Sequence, residues 1–153
     1  IAPKESEHKQ YEKGKQTIDT FYQNLPAIKQ LKDKVEATLN QRDYLIGIDG
    51  RRLQIRSKHS ALNQLLQSTG AISVKKATTI LYDDMSSKGL KFYKDWGFVA
   101  HVHDEYQCLL RPQYTELFKE LAIDSFRKSG EYFKLKCPLT GEAKIGKNWC
   151  ETH

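Results

Sequence analysis

The sequence predicts an α+β fold in which small antiparallel hairpins pack against helices. Two pairs of β-prone runs are each joined by a few turn-forming residues, one around Asp49-Gly50 and one around His103-Asp104-Glu105. Between and around them, apolar residues recur at helical spacing. With 153 residues, 39% of them hydrophobic, the chain suffices for one core, or for one core with a helical appendage.

Residues 3–20 are polar and rich in helix formers but show little apolar periodicity, so a helix there is expected to be exposed or to await a partner. Asn24-Leu25-Pro26 is a break, with Pro26 suited to a first helical turn. Ile28, Leu31, Val35 and Leu39 then predict an amphipathic helix to about Asn40. Tyr44 to Ile48 and Arg52 to Arg56 flank Asp49-Gly50, a strong hairpin signal. From Ser57, a credible N-cap, a helical pattern with Leu62, Leu65 and Leu66 inward runs past Gly70 to about Ser87, and Gly89 closes it. Phe98 to Val102 and Tyr106 to Leu110 form the second hairpin. Pro112 opens a last helix with Leu117, Leu121 and Phe126 inward, expected to end at Gly130. Residues 135–149 alternate loosely and predict one or two short strands. There is no repeat and no low-complexity tract.

The net charge of +6 suits a polyanionic partner but equally a solvated surface. Cys108, Cys137 and Cys150 are odd in number and widely spaced. That argues against a disulfide framework or zinc knuckle and for reduced thiols in a cytosol-like compartment. No apolar run approaches the roughly 20 residues that span a bilayer, and the polar first 15 residues are not expected to be a signal peptide. The chain opens at Ile1 without Met, so its true start is expected upstream.

Three constellations could carry chemistry. Adjacent carboxylates at Asp104-Glu105 repel unless a cation lies beside them. Mg²⁺ prefers carboxylate oxygen, a strand end fixes such oxygens rigidly, and two-metal phosphoryl transfer needs them aimed at one point. On its own the tripeptide fits a solvated turn as well. A His-x-His-x-Asp-His metallohydrolase box fails because His101 and His103 run directly into Asp104-Glu105, and a His-Asp phosphohydrolase would want its pair on a helix. The second constellation is His59, Asn63 and Gln67 at i, i+4 and i+8, a row along one helix face. Asn and Gln both donate and accept, which suits the minor-groove acceptors that look alike for all base pairs. An ordinary polar helix face has the same pattern. The third is Gly50-Arg51-Arg52 with Arg56, where arginines could grip phosphates without reading sequence.

In order, Asp49-Gly50-Arg51, His59-x-x-x-Asn63-x-x-x-Gln67, Val102-His103-Asp104-Glu105, Asn148-Trp149 and the terminal His153 resemble the family A (Pol I-type) DNA polymerases. The run from Arg56 to Ser68 is similar to the phage replicative branch, as is Gly14-Lys15 leading to the stretch 21–28. The resemblance covers about residues 14–153.

It implies a DNA-directed DNA polymerase using Mg²⁺ and two-metal nucleotidyl transfer. Residues 1–43 would be a remnant of the fingers helices and 44–153 the C-terminal part of the palm. Asp104 resembles the catalytic aspartate that binds metal, with Glu105 as its acidic neighbour and His103 beside the primer terminus. Asn63 and Gln67 would hydrogen-bond the minor groove. His59 stands where many relatives carry Arg, and Arg56 would meet the template backbone or an acidic partner. The implied partners are primer-template DNA, deoxynucleoside triphosphates and the remainder of the polymerase, as an upstream segment or a second chain. No membrane is involved, and the compartment would be cytoplasmic, the host's if phage-encoded. The family's upstream aspartate motif and nucleotide-binding fingers helix do not occur here, so the isolated chain is expected to be inactive. A non-catalytic duplex-DNA-binding module and a stand-alone metal hydrolase are the other classes the residues leave open.

Overall fold

The computed structural model describes residues 7–102 and 104–152. The chain divides into two compact units, Ile1–Leu45 with Arg52–Gln64 and Ile46–Arg51 with Leu65–His153. The α+β reading holds: helices dominate, with two small antiparallel two-stranded sheets.

The first unit opens with α1 (Glu7–Asn24) and α2 (Pro26–Leu39). Among its described side chains α1 is exposed apart from Tyr22, as its lack of an apolar stripe requires. Tyr22 lies edge-on to Phe21 at 5.6 Å and carries the Lys32 ammonium over its ring at 5.3 Å. In α2 only the C-terminal half of the apolar row is covered. Val35 and Leu39 are buried, whereas Ile28 and Leu31 remain 37% and 38% exposed. Strands β1 (Tyr44–Ile46) and β2 (Arg52–Gln54) are shorter than the sequence suggests, because pairing stops where the turn bonds begin. A single 3₁₀ turn (Lys58–Ser60) leads into α3 (Ala61–Ser87). Ser57 flanks that turn in an extended conformation, but its side chain makes no cap bond; its carbonyl accepts Ser60 N at 3.1 Å instead.

The second unit holds the turn between β1 and β2. Gly50 N donates to Gly47 O and Gly47 N to Arg51 O, both at 2.9 Å, with Gly50 at φ +83°. This is a three-residue loop with a left-handed last position. Helix α3 runs unbroken through Gly70 and ends in a Schellman motif: Leu90 N donates to Met85 O at 3.2 Å and Gly89 N to Ser86 O at 2.9 Å. Gly89, at φ +81°, takes the left-handed position. Leu90 and Met85, the residues joined by the longer bond, both lie in the core.

Strands β3 (Trp96–Val102) and β4 (Glu105–Leu110) pair from Trp96↔Leu110 to Val102↔Glu105, with an irregularity at Val99. The two extra residues at the start of β3 belong to the core. Trp96, 3% exposed, meets Phe92, Phe98 and Phe118 with ring centroids 5.0, 5.2 and 5.8 Å away. Leu81, Met85, Leu90 and Ala122 complete the buried cluster.

A 3₁₀ turn (Pro112–Tyr114) starts α4 (Thr115–Tyr132). Leu117 and Leu121 pack on the core as expected. The helix does not end at Gly130. A Cβ there would lie 3.2 Å from Leu139 Cγ, so Gly130 is where the following segment crosses the helix closely. Ser129 Oγ donates to Ser73 O at 2.7 Å and Lys128 Nζ reaches Asp84 Oδ2 at 2.7 Å, joining α4 to α3. The expected strands at 135–149 do not form. Residues 136–146 have no regular structure among the described residues, and the segment ends in the short helix α5 (Trp149–Thr152). The loose alternation of this stretch reflects half-buried Leu135 and Leu139 beside α4.

Candidate functional site

The β3–β4 hairpin carries the carboxylates. Its ladder closes at Val102↔Glu105, Asp104 lies in the turn, and Glu105 is the first residue of β4. Asp104 is exposed and Glu105 half-buried. His103 lies outside the described residues, as does His153. The irregularity at Val99 shifts the register from a 98↔108 to a 100↔107 pairing. A bulge of this kind re-aims every side chain between it and the tip.

Behind the tip, Tyr106 locks the hairpin to the core. Its ring meets Phe98 edge-on at 5.5 Å and stacks on Phe126 at 5.8 Å. Burial pushes the Tyr106 phenol up to about 12, offset in part by Ser125 beside it. The Ser125 hydroxyl gives its proton to Ala122 O at 2.7 Å, so toward the phenol it can act only as an acceptor, and the phenol oxygen has no well-formed hydrogen bond among the described residues. Burial likewise pushes the Cys108 thiol up to about 12.

Polar contacts order the other side of β4. Gln107 donates an amide hydrogen to Glu105 Oε1, and its amide oxygen lies 3.2 Å from the Thr152 hydroxyl. Sequence reasoning missed both residues. A lone Gln in an alternating strand reads as a solvent-facing filler, and only the fold brings Thr152 to it.

His59 lies in the 3₁₀ turn, and Asn63 and Gln67 one and two turns further along α3. All three are exposed, and among the described residues none of their side chains makes a hydrogen bond. Leu66, expected inward, is 55% exposed on the same face. The first turn of α3 is held instead by its other side: Gln64 Nε2 donates to Gln54 O at 2.9 Å, and Lys58 Nζ to Asn40 Oδ1 at 2.6 Å.

The arginine constellation divides. Arg51 is engaged at its own turn, 3.3 Å from Asp49 Oδ2 and 3.2 Å from Ser68 Oγ. Arg42 and Arg52 lie over the Tyr44 ring at 4.7 and 4.8 Å. Arg56 is exposed and makes no such contact among the described residues. A depression of about 560 Å³ lined by Lys75, Lys76, Thr79, Tyr132 and Lys134 includes, of the residues singled out above, Asp49 and none of the candidate site residues. Its lining carboxylate, Asp49, is already bound to Arg51, so it does not suit metal chemistry.

Among the described residues no three His, Cys, Asp or Glu side chains gather. Asp104 and Glu105 therefore fit Mg²⁺ in the mode where one or two carboxylates share the ion with ligands from elsewhere, and not as a closed cage. No helix among the described residues is long and apolar enough to cross a membrane.

The profile of DNA polymerase family A matches residues 4–151. The chain belongs to that family. It is 35% identical to the DNA-directed DNA polymerase of Enterobacteria phage T3 and 33% identical to that of Escherichia phage T7, covering 93% of this chain in each case. DNA polymerase I of Aquifex aeolicus is 27% identical over 86% of this chain. The chain spans 23% of the length of each phage relative. In fold, this family A chain is similar to the POL domain of Pol1 from M. smegmatis, whose structure contains DNA primer-template and dNTP. The TM-score is 0.68 at 17% identity, over 77% of this chain and 22% of that one.

Proposed function

We propose that this chain is the portion of a template-directed DNA polymerase that supplies one metal-binding carboxylate and a duplex-contacting helix. Residues 1–43 are read as fingers and 44–153 as the C-terminal palm. The observation that carries this reading is Asp104, exposed at the turn of a hairpin whose strands are anchored in an aromatic core, within a family match spanning nearly the whole chain.

In this reading Asp104 holds the cation and Glu105 stands beside it as the supporting carboxylate. When bound, Mg²⁺ would activate the primer 3′-hydroxyl and neutralise charge on the phosphates of the incoming deoxynucleoside triphosphate. Asn63 and Gln67 offer amide hydrogens to the N3 and O2 acceptors of the newly formed duplex, so a mispair that shifts those atoms loses a bond. Being acceptors common to all base pairs, these atoms let the face test geometry without reading sequence. His59 extends the row toward the backbone, Arg56 neutralises a template phosphate, and His103 lies beside the primer terminus. With one aspartate, the chain requires the remainder of the polymerase for catalysis, and it works in a cytoplasm-like compartment.

The test is Asp104→Ala in the polymerase that contains this chain. Primer extension is expected to vanish while binding of primer-template duplex persists. Extension at an unchanged rate would end the catalytic reading. Loss of duplex binding together with extension would favour a non-catalytic DNA-binding module.

A further inference from the structure

The Glu105 carboxylate is linked to the C-terminal segment. Gln107, two residues along β4 and so on the same strand face, donates its Nε2 amide to Glu105 Oε1. An ionised carboxylate has only acceptor atoms, so the amide must present its nitrogen to Glu105 and its oxygen to the opposite side. That oxygen lies 3.2 Å from the Thr152 hydroxyl, which is then the donor. The same hydroxyl lies 3.1 Å from Trp149 O, and its single proton serves one acceptor at a time. Thr152 is itself placed by a reciprocal cap on α5. Glu151 N donates to Asn148 Oδ1 at 3.2 Å, while Glu151 accepts from Asn148 Nδ2 and from Lys147 N, each at 2.8 Å.

We infer that Gln107 and Thr152 are positioning residues, a two-step relay that orients Glu105 beside Asp104 and lets the C-terminal helix set how much divalent cation the site requires. The inference rests on the polymerase reading above. Gln107 is not the sole contact of Glu105, so the relay selects an orientation and does not supply the whole hold. Neither residue touches DNA or cation in this scheme, and each acts through the Glu105 carboxylate, as outer-sphere partners of metal ligands do.

The experiment uses the polymerase containing this chain and measures both primer extension against Mg²⁺ concentration and Mn²⁺ binding by electron paramagnetic resonance, which should weaken in step, for Thr152→Val, Thr152→Ser, Gln107→Leu and the Thr152→Val/Gln107→Leu pair, with Asp104→Ala alongside. Thr152→Val and Gln107→Leu are each expected to raise the half-maximal Mg²⁺ concentration by about tenfold. Thr152→Ser, which keeps the hydroxyl, should match the wild type. The pair should be no worse than Gln107→Leu alone, since both act on one chain of bonds. Should Gln107→Leu fail to fold, the Val and Ser variants at Thr152 carry the test. An unchanged Mg²⁺ requirement in Thr152→Val, or additive losses in the pair, with Asp104→Ala inactive, overturns the relay alone. Full extension by Asp104→Ala overturns the polymerase reading and the relay with it.

Discussion

Replacing Gln67 by Ala separates duplex recognition from structure more cleanly than any other substitution on this surface. Gln67 is exposed on α3 and makes no side-chain hydrogen bond among the described residues. Its removal should therefore change stability by less than about 0.5 kcal/mol, with any shift toward stabilisation because Ala is the better helix former. If its amide donates to a minor-groove acceptor, the loss of one neutral hydrogen bond costs about 0.5–1.5 kcal/mol. At 1.4 kcal/mol per factor of ten this is a change of about twofold to tenfold. The change should fall on matched primer termini, where the acceptor is in place, and leave mismatched termini nearly untouched. The assay is extension of matched and mismatched primers by the polymerase carrying Gln67→Ala, with thermal unfolding in parallel. A narrowed ratio at unchanged Tm is expected. An unchanged ratio, or a ratio that moves only together with Tm, would refute the groove role and return the row to an ordinary polar face.

Gly89→Ala should destabilise by about 1–2 kcal/mol, because a Cβ is strained at the left-handed position of the Schellman motif; Tm should drop by several degrees. Cys137, exposed in the tail, should react with a thiol reagent at pH 8 in the folded protein. Cys108 should stay protected until unfolding, and modification at equal rates would contradict its burial. Folding raises both the Cys108 thiol and the Tyr106 phenol to about 12 from ordinary values of 9.0 and 10.0. Each therefore contributes stability in full below its unfolded value, and that contribution is lost as pH rises toward 12. Denaturant midpoints should fall above about pH 9, less steeply in a Tyr106→Phe/Cys108→Ala variant.

Both hairpins were legible because turn chemistry is local. Asp49-Gly50 supplies the left-handed residue its loop needs, and the short gap between two β-prone runs leaves little freedom at residues 103–105. Helix periods were legible for the same reason, down to Gly89 as a terminator. What escaped was set by neighbours distant in sequence. Gly130 reads as a helix end, yet it is kept inside α4 by the close passage of Leu139. Leu66 reads as core, yet it stays 55% exposed. The tail reads as strand because its apolar residues alternate, while Leu135 and Leu139 are half-buried and residues 136–146 take no regular structure among the described residues. Among the described residues Arg56 keeps its side chain uncommitted, whereas Asp49 and Ser68 engage Arg51 and the Tyr44 ring engages Arg42 and Arg52. The carboxylate pair was visible as a motif, but its link through Gln107 to Thr152 spans 45 residues and appears only once the fold is formed.

The central claim is that a divalent cation binds at Asp104. The most direct measurement is anomalous diffraction from Mn²⁺ in crystals of the polymerase bearing this chain, bound to primer-template and an incoming nucleotide. A peak is expected at inner-sphere distance, about 2.1 Å, from an Asp104 carboxylate oxygen, with Gln67 facing the minor groove of the same duplex. Metal peaks in the complex with Asp104 turned away from all of them would contradict it.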